Sequence, residues 1–351
     1  MLRASGKRLL FPGDIALKYP DIIPKLPKGL IAVTWAYSPK DDYSSYIEPF
    51  RKAGMEFFVC TTVHNWDRVF PNFADTRENV NNFTRDGKNS GALGLMATHW
   101  ADDGEALFNM TWYGNVFSAA AAWQPGLVDP RSFDRSFDWA FYRNPDDQTF
   151  ANAIRNLYQV HELLKAAGAG EANDNLFWVD PFSRHGAEEI RKAAPVASRL
   201  RILAEQAFVD LVTNEAKAKH HRHTIPFLEF AAKRMDYMGM KIQFATTVGE
   251  MYRAVLADPA DSNKARQNLR RIRGMDGLLP SLRDYINEVK ALYRDVWLSE
   301  NRPYWLDNVL VRYENEALYW VQKMQLFDNA AEDYWATKSL PGPDKLGLFL
   351  P

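Results

Sequence analysis

The sequence contains a single cysteine, Cys60, and almost no excess charge of either sign. One cysteine excludes an internal disulfide and a zinc site built from several cysteines. The 351 residues include 43 basic and 44 acidic side chains, which gives a formal net charge of −1. Such a balance provides no long-range field for nucleic acid or an anionic membrane, and we expect neither as a partner.

Long apolar runs are also missing. No run approaches the roughly 18 residues that a membrane-spanning helix requires. Near the start of the chain only Leu9, Leu10 and Phe11 form an apolar stretch, which is shorter than the core of a signal peptide, about 7–15 residues. The sequence therefore predicts a cytoplasmic protein.

Several catalytic and nucleotide-binding motifs are absent as well, among them G-x-S-x-G, the Walker loop, G-x-G-x-x-G and H-E-x-x-H. The run Lys219-His220-His221-Arg222-His223 has one histidine pair at a suitable spacing for a metal, but the neighbouring cations disfavour one. We interpret this run as an exposed helix end. His161, on an apolar helical stripe, is interpreted as a hydrogen-bonded core residue, and we expect no cofactor and no metal.

The first third of the chain alternates short apolar runs with amphipathic segments. The apolar runs are rich in β-branched and aromatic residues and are bounded by glycine or proline, which is typical of strands buried on both faces. They lie near residues 7–15, 29–37, 55–66 and 91–100. This β-α alternation predicts a parallel sheet with right-handed crossovers, equivalent to a four-stranded half of a TIM-type β/α barrel.

After about residue 126 the pattern becomes helical throughout. Phe150, Ile154, Leu157, His161 and Leu164 share one helical face. Further long helices are predicted over 186–218, 224–257, 261–273, 279–299 and 303–330. The fold class is thus α/β followed by all-α, with a partial barrel at 1–126 and a helical domain at 127–351.

Polar and aromatic side chains follow every predicted strand. Because the carboxyl ends of parallel strands meet at one edge of a sheet, we expect these side chains to lie together. Tryptophan provides a flat apolar face for a sugar ring, and neighbouring carboxylates accept hydrogen bonds from its hydroxyls. The pattern favours carbohydrate as the ligand. The candidate substrate-binding residues are Asp14, Trp35, Tyr37, Trp66, Asp67, His99, Trp100, Asp102, Asp103 and Glu105.

Four stretches carry a resemblance to a known family. "LLFPGDIALKYPDIIPKLPKGLIAVTWAY", "FRKAGMEFFVCTTVHNW" and "GALGLMATHWADDGE" resemble the last four barrel strands of family-20 glycoside hydrolases, the β-N-acetylhexosaminidases. The stretch "ENRPYWLDNVLVRYE" is similar to the helical domain of the exo-β-N-acetylglucosaminidase branch. The resemblance implies an enzyme that acts on terminal N-acetylhexosamine.

The same resemblance assigns roles on one side of a sugar pocket. It implies that Trp35 and Tyr37 surround the N-acetyl group, that Trp100 stacks under the ring, and that Asp102, Asp103 or Glu105 binds outer hydroxyls. Asp14 keeps the acid of a family Trp-Gly-Asp motif, but Pro12 replaces its tryptophan. In that family the substrate's own N-acetyl group attacks the anomeric carbon, assisted by an adjacent Asp-Glu pair. No Asp-Glu pair ends a strand here, so the catalytic residues are unknown.

An open half barrel has unpaired edges and an exposed apolar interior. We therefore expect a partner, which would be either a missing N-terminal half or a second copy of the chain in a homo-oligomer. Two alternatives to a hexosaminidase-type hydrolase stay open. One is a non-catalytic carbohydrate-binding or interaction protein. The other is an enzyme with a new acid pair drawn from Asp102, Asp103 and Glu105, with Asp67 opposite them.

Overall fold

The computed structural model describes residues 6–145 and 147–351. Residues 1–5, in the first predicted domain, and Asp146, in the second, lie outside the described residues. The chain begins with one parallel sheet in which the strands follow one another in sequence order. Its strands are β1 (Leu9–Pro12), β2 (Leu30–Trp35), β3 (Phe57–Thr62) and β4 (Gly94–Thr98).

The segments that connect the strands form the helical side of the sheet. They contain α1 (Asp14–Lys18), a 3-10 turn (Pro20–Lys25), α2 (Ser44–Lys52) and α3 (Phe73–Asn89). Buried apolar residues of these helices, such as Phe50 and Phe83, form a cluster with Ala32 and Val59 of the sheet. Consecutive parallel strands joined by crossovers of one hand place their helices on one face. In the described part of the chain the opposite face of the sheet is therefore left open.

Each strand lies within the range that the sequence predicts, although each is shorter. β3 ends at Thr62 rather than near residue 66, because the chain turns at His64, which has a φ of 48°. Within the described residues, β1 and β4 each pair with one strand only. The four parallel strands are compatible with a partial β/α barrel, and a barrel itself stays a prediction.

The rest of the chain is largely helical, as the sequence predicts. The helices are α4 (Trp112–Trp123), α5 (Pro130–Phe137), α6 (Thr149–Ala166), α7 (Asp174–Trp178), α8 (Arg184–Ala193), α9 (Ala197–Asn214), α10 (Ile225–Ala257), α11 (Ser262–Arg273), α12 (Leu278–Glu300) and α13 (Leu306–Thr337). The single helix predicted over 186–218 is wrong. A 3-10 turn containing Pro195 separates α8 from α9, since proline lacks the amide donor that a continuous helix needs.

The main hydrophobic cluster extends across both parts of the chain. Phe73 of α3, Tyr113 of α4 and Tyr158 of α6 pack against one another, with ring centroids 5.0–6.3 Å apart. Buried aromatic side chains of the long helices belong to the same cluster. The division at residue 126 stays a prediction. None of the helices in the described part of the chain combines the length and apolar character that crossing a bilayer requires.

Candidate functional site

The open face of the sheet forms a groove of about 840 Å³. Its floor contains Trp35, Cys60 and Met96, which are register partners across β2, β3 and β4. Leu10 and Met96 are respectively 48% and 37% exposed there. Side chains of neighbouring parallel strands at the same register form rows, which explains why this floor is continuous and apolar.

Four aromatic side chains stand at the carboxyl end of the groove, and Tyr37 lies at their centre. Its ring centroid is 5.0 Å from that of Trp35, 5.7 Å from that of Trp66 and 6.2 Å from that of Trp100. Trp100 donates a hydrogen bond from Nε1 to the Tyr37 hydroxyl at 3.1 Å. We call Trp35, Tyr37, Trp66 and Trp100 the aromatic cluster.

Hydrogen bonds fix the backbone beneath the aromatic cluster. Asn65 donates from Nδ2 to the carbonyl oxygen of Trp100 at 2.5 Å and accepts from the Trp100 amide at 3.0 Å. The Val63 amide also donates to the carbonyl oxygen of Thr98. These hydrogen bonds join the loops after β3 and β4, so the backbone positions of Trp66 and Trp100 are fixed relative to each other.

Carboxylates lie on both sides of the groove at its carboxyl end. Asp14 begins α1 after β1, and exposed Asp102 follows β4, so they lie beyond opposite edges of the sheet. Asp67 is exposed in the loop after β3 with a φ of 52°. Partial burial, together with the nearby carboxylates of Asp174 and Asp102, raises the pKa of Asp67. These oxygens can accept hydrogen bonds from a polyhydroxylated ligand.

The structure brings together six of the ten predicted substrate-binding residues. Those that line the groove are Asp14, Trp35, Tyr37, Trp66, Trp100 and Asp102. Asp67 is near Asp102, whereas His99 packs its ring edge-on against Phe108. Asp103 and Glu105 line a separate small cavity of about 10 Å³. Binding of sugar by these residues stays a prediction.

Glu105 belongs to a buried ionic network rather than to the groove. Its side chain is 1% exposed, and its two oxygens lie 2.6 Å from the Arg234 and Arg312 guanidinium groups. The Tyr313 hydroxyl donates to the same carboxylate at 2.9 Å. Arg312 also donates to Asp174 at 2.8 Å. This network ties the loop after β4 to α7, α10 and α13.

Burial raises the pKa of Glu105, while Arg234 and Arg312 oppose that shift. The carboxylates of Asp103, Glu105 and Asp174 approach within 4.8 Å of one another, a spacing that could hold a cation. Arg234 and Arg312 already pair with Glu105, and Arg312 also pairs with Asp174, so their positive charges disfavour a metal ion. The arrangement is best explained as a structural connection between the two parts of the chain.

Two histidine-containing features match their sequence interpretation. His161 is fully buried, with Nε2 2.8 Å from the Phe70 carbonyl oxygen and Nδ1 accepting from the Ala172 amide. Residues 219–223 are exposed and precede α10, although the His221 ring stacks on Phe141. These contacts indicate structural roles for both features.

Below the aromatic cluster lie two buried groups that do not ionise near neutral pH. Burial raises the pKa of the Cys60 thiol to about 11, which disfavours a reactive thiolate. His64 is 3% exposed, and neither ring nitrogen has a hydrogen-bond partner in the described residues. Burial, with a smaller contribution from Arg68, lowers the pKa of His64 to about 4. Both groups are therefore uncharged near neutral pH, and of the two only Cys60 lines the groove.

No model of a known protein family matches the chain, and no curated protein sequence matches it. Solved structures do match. One is a family-138 glycoside hydrolase, an enzyme that targets pectin rhamnogalacturonan II. It is 12% identical, with a TM-score of 0.50, and the match covers 93% of this chain and 58% of that chain.

This chain thus spans 58% of the length of the glycoside hydrolase that it matches. At 12% identity the likeness concerns the fold alone, and it supports a glycoside hydrolase-like fold. The match is not to family 20, so assignment to that family stays a prediction.

Other parts of the site could not be predicted from the sequence. Arg234, Arg312 and Asp174 surround Glu105 although they lie about 70–210 positions along the chain from it. A second pocket beside the loop after β4 is lined by Tyr304 and Trp305. The only signal in the sequence is an aromatic pair directly after Pro303, which the sequence assigns to the start of the helix predicted over 303–330 and which the structure places before α13.

Proposed function

We propose that this chain forms the carbohydrate-binding side of a glycoside hydrolase-like protein. The observation that carries the proposal is the groove itself, where the aromatic cluster adjoins Asp14 and Asp102. Aromatic faces shield the C–H surface of a sugar ring from water, and the carboxylates accept hydrogen bonds from its hydroxyls. A volume of about 840 Å³ is sufficient for one or two sugar rings.

Terminal N-acetylhexosamine is the ligand that we propose. Trp35 and Tyr37 have ring centroids 5.0 Å apart and provide an apolar corner for the acetamido methyl group. The Tyr37 hydroxyl beside them can hydrogen-bond to the acetamido oxygen. Burial raises the pKa of Tyr37, so this hydroxyl keeps its proton at neutral pH and can donate.

Binding of the acetamido group is tested by saturation-transfer NMR with methyl N-acetyl-β-D-glucosaminide and methyl β-D-glucoside. We expect strong transfer to the acetamido methyl group, and loss of that transfer in Trp35→Ala. The matched control is Trp123→Ala, which removes a tryptophan that is 91% exposed at the end of α4. Equal transfer to both glycosides would contradict the acetamido assignment.

Hydrolysis by this chain would require a pair of acidic side chains beside the bound sugar. Asp14 and Asp102 follow strands at opposite edges of the sheet, and no adjacent Asp-Glu pair of the kind that substrate-assisted hydrolases use ends a described strand. We propose that the chain alone binds without hydrolysing. Release of nitrophenol from 4-nitrophenyl N-acetyl-β-D-glucosaminide tests this, and turnover abolished by Asp14→Asn or Asp102→Asn would contradict it.

We also propose that further parallel strands cover the edges of β1 and β4 that are unpaired among the described residues. Exposed Leu10 and Met96 lie on these two edge strands, and apolar residues at an unpaired edge favour association in water. The partner is then a complementary half barrel or a second copy of the chain. Sedimentation of the purified chain at neutral pH should show association, and a stable monomer would contradict the proposal.

A further inference from the structure

A second pocket lies beside the groove, at the junction of the loop after β4 and the loop between α12 and α13. It has a volume of about 450 Å³. One side is formed by Ala101, Gly104 and Ala106. The other side is formed by Trp297, Asn301, Arg302, Tyr304 and Trp305. We call this space the junction pocket.

The junction pocket is built by specific contacts. The Glu300 carboxylate accepts from the amides of Phe108 and Asn109 at 2.6 and 2.7 Å, which holds the end of α12 against the loop after β4. Trp297 donates from Nε1 to the Arg302 carbonyl oxygen at 2.8 Å. The α12–α13 loop is therefore fixed at its start and within its length.

Two backbone conformations bring the aromatic side of the pocket into place. Trp305, the N-cap residue directly before α13, has a φ of 72°, which is unusual for a bulky residue. Gly104 has a φ of 69°, and a Cβ atom at this position would lie 2.3 Å from Trp305 Nε1. A glycine at residue 104 thus permits the close approach of the indole.

The exposed groups of the pocket have a defined chemistry. Tyr304 is 83% exposed and Trp305 is 46% exposed, so both present aromatic surface to solvent. Arg302 is exposed, and its guanidinium forms no ion pair with the residues that the structure describes. Within that same part of the chain, no carboxylate lines the pocket. Aromatic faces beside one uncompensated cation match a sugar ring that carries a carboxylate.

We propose that the junction pocket is a second glycan subsite that binds an acidic sugar, a uronate, adjacent to the sugar in the groove. Trp100 and Asp102 line the groove, and Ala101 between them lines the junction pocket. Consecutive Cα atoms are about 3.8 Å apart, so one loop separates the two spaces. This inference rests on the proposed function, since it extends the glycan that the groove holds.

The test compares two disaccharides by isothermal titration calorimetry on the full chain. One is N-acetylglucosamine β1-4-linked to glucuronic acid, and the other is neutral chitobiose. We expect the acidic disaccharide to bind about five- to tenfold more tightly, because Arg302 pairs with its carboxylate. Arg302→Gln should remove this preference, whereas Arg302→Lys should retain part of it.

Tyr304→Ala should weaken both disaccharides by about threefold or more without altering binding of the monosaccharide. Tyr304 is so exposed that its truncation leaves the fold intact, and Trp123→Ala is the matched control. Equal affinity of the wild-type chain for the two disaccharides would overturn the subsite, as would a preference that survives Arg302→Gln.

Trp100→Ala separates this inference from the proposed function. If the groove binds sugar, this variant loses monosaccharide affinity whatever the junction pocket does. One outcome is that Trp100→Ala weakens monosaccharide binding while substitution of Tyr304 or Arg302 leaves disaccharide binding unchanged. This outcome supports the proposed function and overturns the subsite. An acidic preference that depends on Arg302 but not on Trp100 retains the subsite and overturns the groove assignment. Failure of both disaccharides to bind overturns both.

Discussion

Glu105→Gln is the substitution that most sharply separates a structural role from a binding role. Glutamine keeps the size of the side chain and removes its charge. In the native chain the carboxylate lies 2.6 Å from both Arg234 and Arg312, and the Arg234 side chain is only 4% exposed. The substitution leaves a buried guanidinium without its main counter-charge.

The magnitude follows from the geometry around the two arginines. Removing one partner of a buried ion pair costs about 3–5 kcal/mol, because the remaining charge has lost its partner and has no water in its place. Arg312 still donates to Asp174 at 2.8 Å, but Arg234 lies 3.8 Å from Asp174. We therefore expect Glu105→Gln to lower the free energy of unfolding by about 3 kcal/mol.

Urea unfolding followed by circular dichroism measures this loss. The matched control is Glu48→Gln, which removes a solvent-exposed pair with Arg51 and should leave the free energy of unfolding close to that of the wild-type chain. Tyr313→Phe removes one hydrogen bond to the Glu105 carboxylate and should cost about 1.5–3 kcal/mol.

The result that would refute this reasoning is a Glu105→Gln variant within about 1 kcal/mol of the wild-type chain. A second measurement addresses the binding role directly. Because Glu105 does not line the groove, the folded variant should keep its affinity for N-acetylglucosamine within about twofold. Loss of binding in a stable, folded variant would instead show that Glu105 contributes to sugar binding, as the sequence predicts.

Two other perturbations test the loops around the site. Burial lowers the pKa of His64 in the folded chain to about 4 from an ordinary 6.5. Between these two pH values His64 is protonated in the unfolded chain but not in the folded chain, so the folded state becomes less stable as the pH falls. The free energy of unfolding, measured by urea titration, should therefore decrease between pH 6.5 and pH 4, and His64→Asn should reduce that decrease by up to about 3 kcal/mol. An unchanged pH dependence in this variant would contradict the lowered pKa of His64. Gly104→Ala should lower the free energy of unfolding by about 1–2 kcal/mol, because it places a Cβ atom at positive φ against Trp305. The control is Gly126→Ala, where a Cβ atom would meet no neighbour within 4 Å, and an equal change in melting temperature for the two variants would contradict the contact with Trp305.

The strand positions could be predicted because local sequence determines them. Short apolar runs predict the strands, and the residues that follow them must lie at the carboxyl edge of the sheet. This geometric rule was enough to place Trp35, Tyr37 and Trp100 together. The aromatic cluster is thus a consequence of parallel topology. The predicted burial of the strands on both faces is wrong, because Val59 packs against the helices whereas Val33 lines the open groove.

The role of Glu105 could not be predicted because its partners are distant in sequence. Arg234 and Arg312 lie on α10 and α13, and nothing near residue 105 indicates that these helices approach it. The junction pocket was missed for the same reason, since Gly104 and Trp305 meet only after the helices pack. Contacts between elements far apart in sequence depend on tertiary packing, which local patterns do not determine.

Titration of N-acetylglucosamine into the wild-type chain and Trp100→Ala, followed by isothermal titration calorimetry, tests the central claim most directly. The account predicts saturable binding to the wild-type chain and to Trp123→Ala, with about tenfold weaker binding to Trp100→Ala because the stacking face is lost. Equal affinities of the wild-type chain and Trp100→Ala, or no binding to the wild-type chain, would contradict a sugar site in this groove.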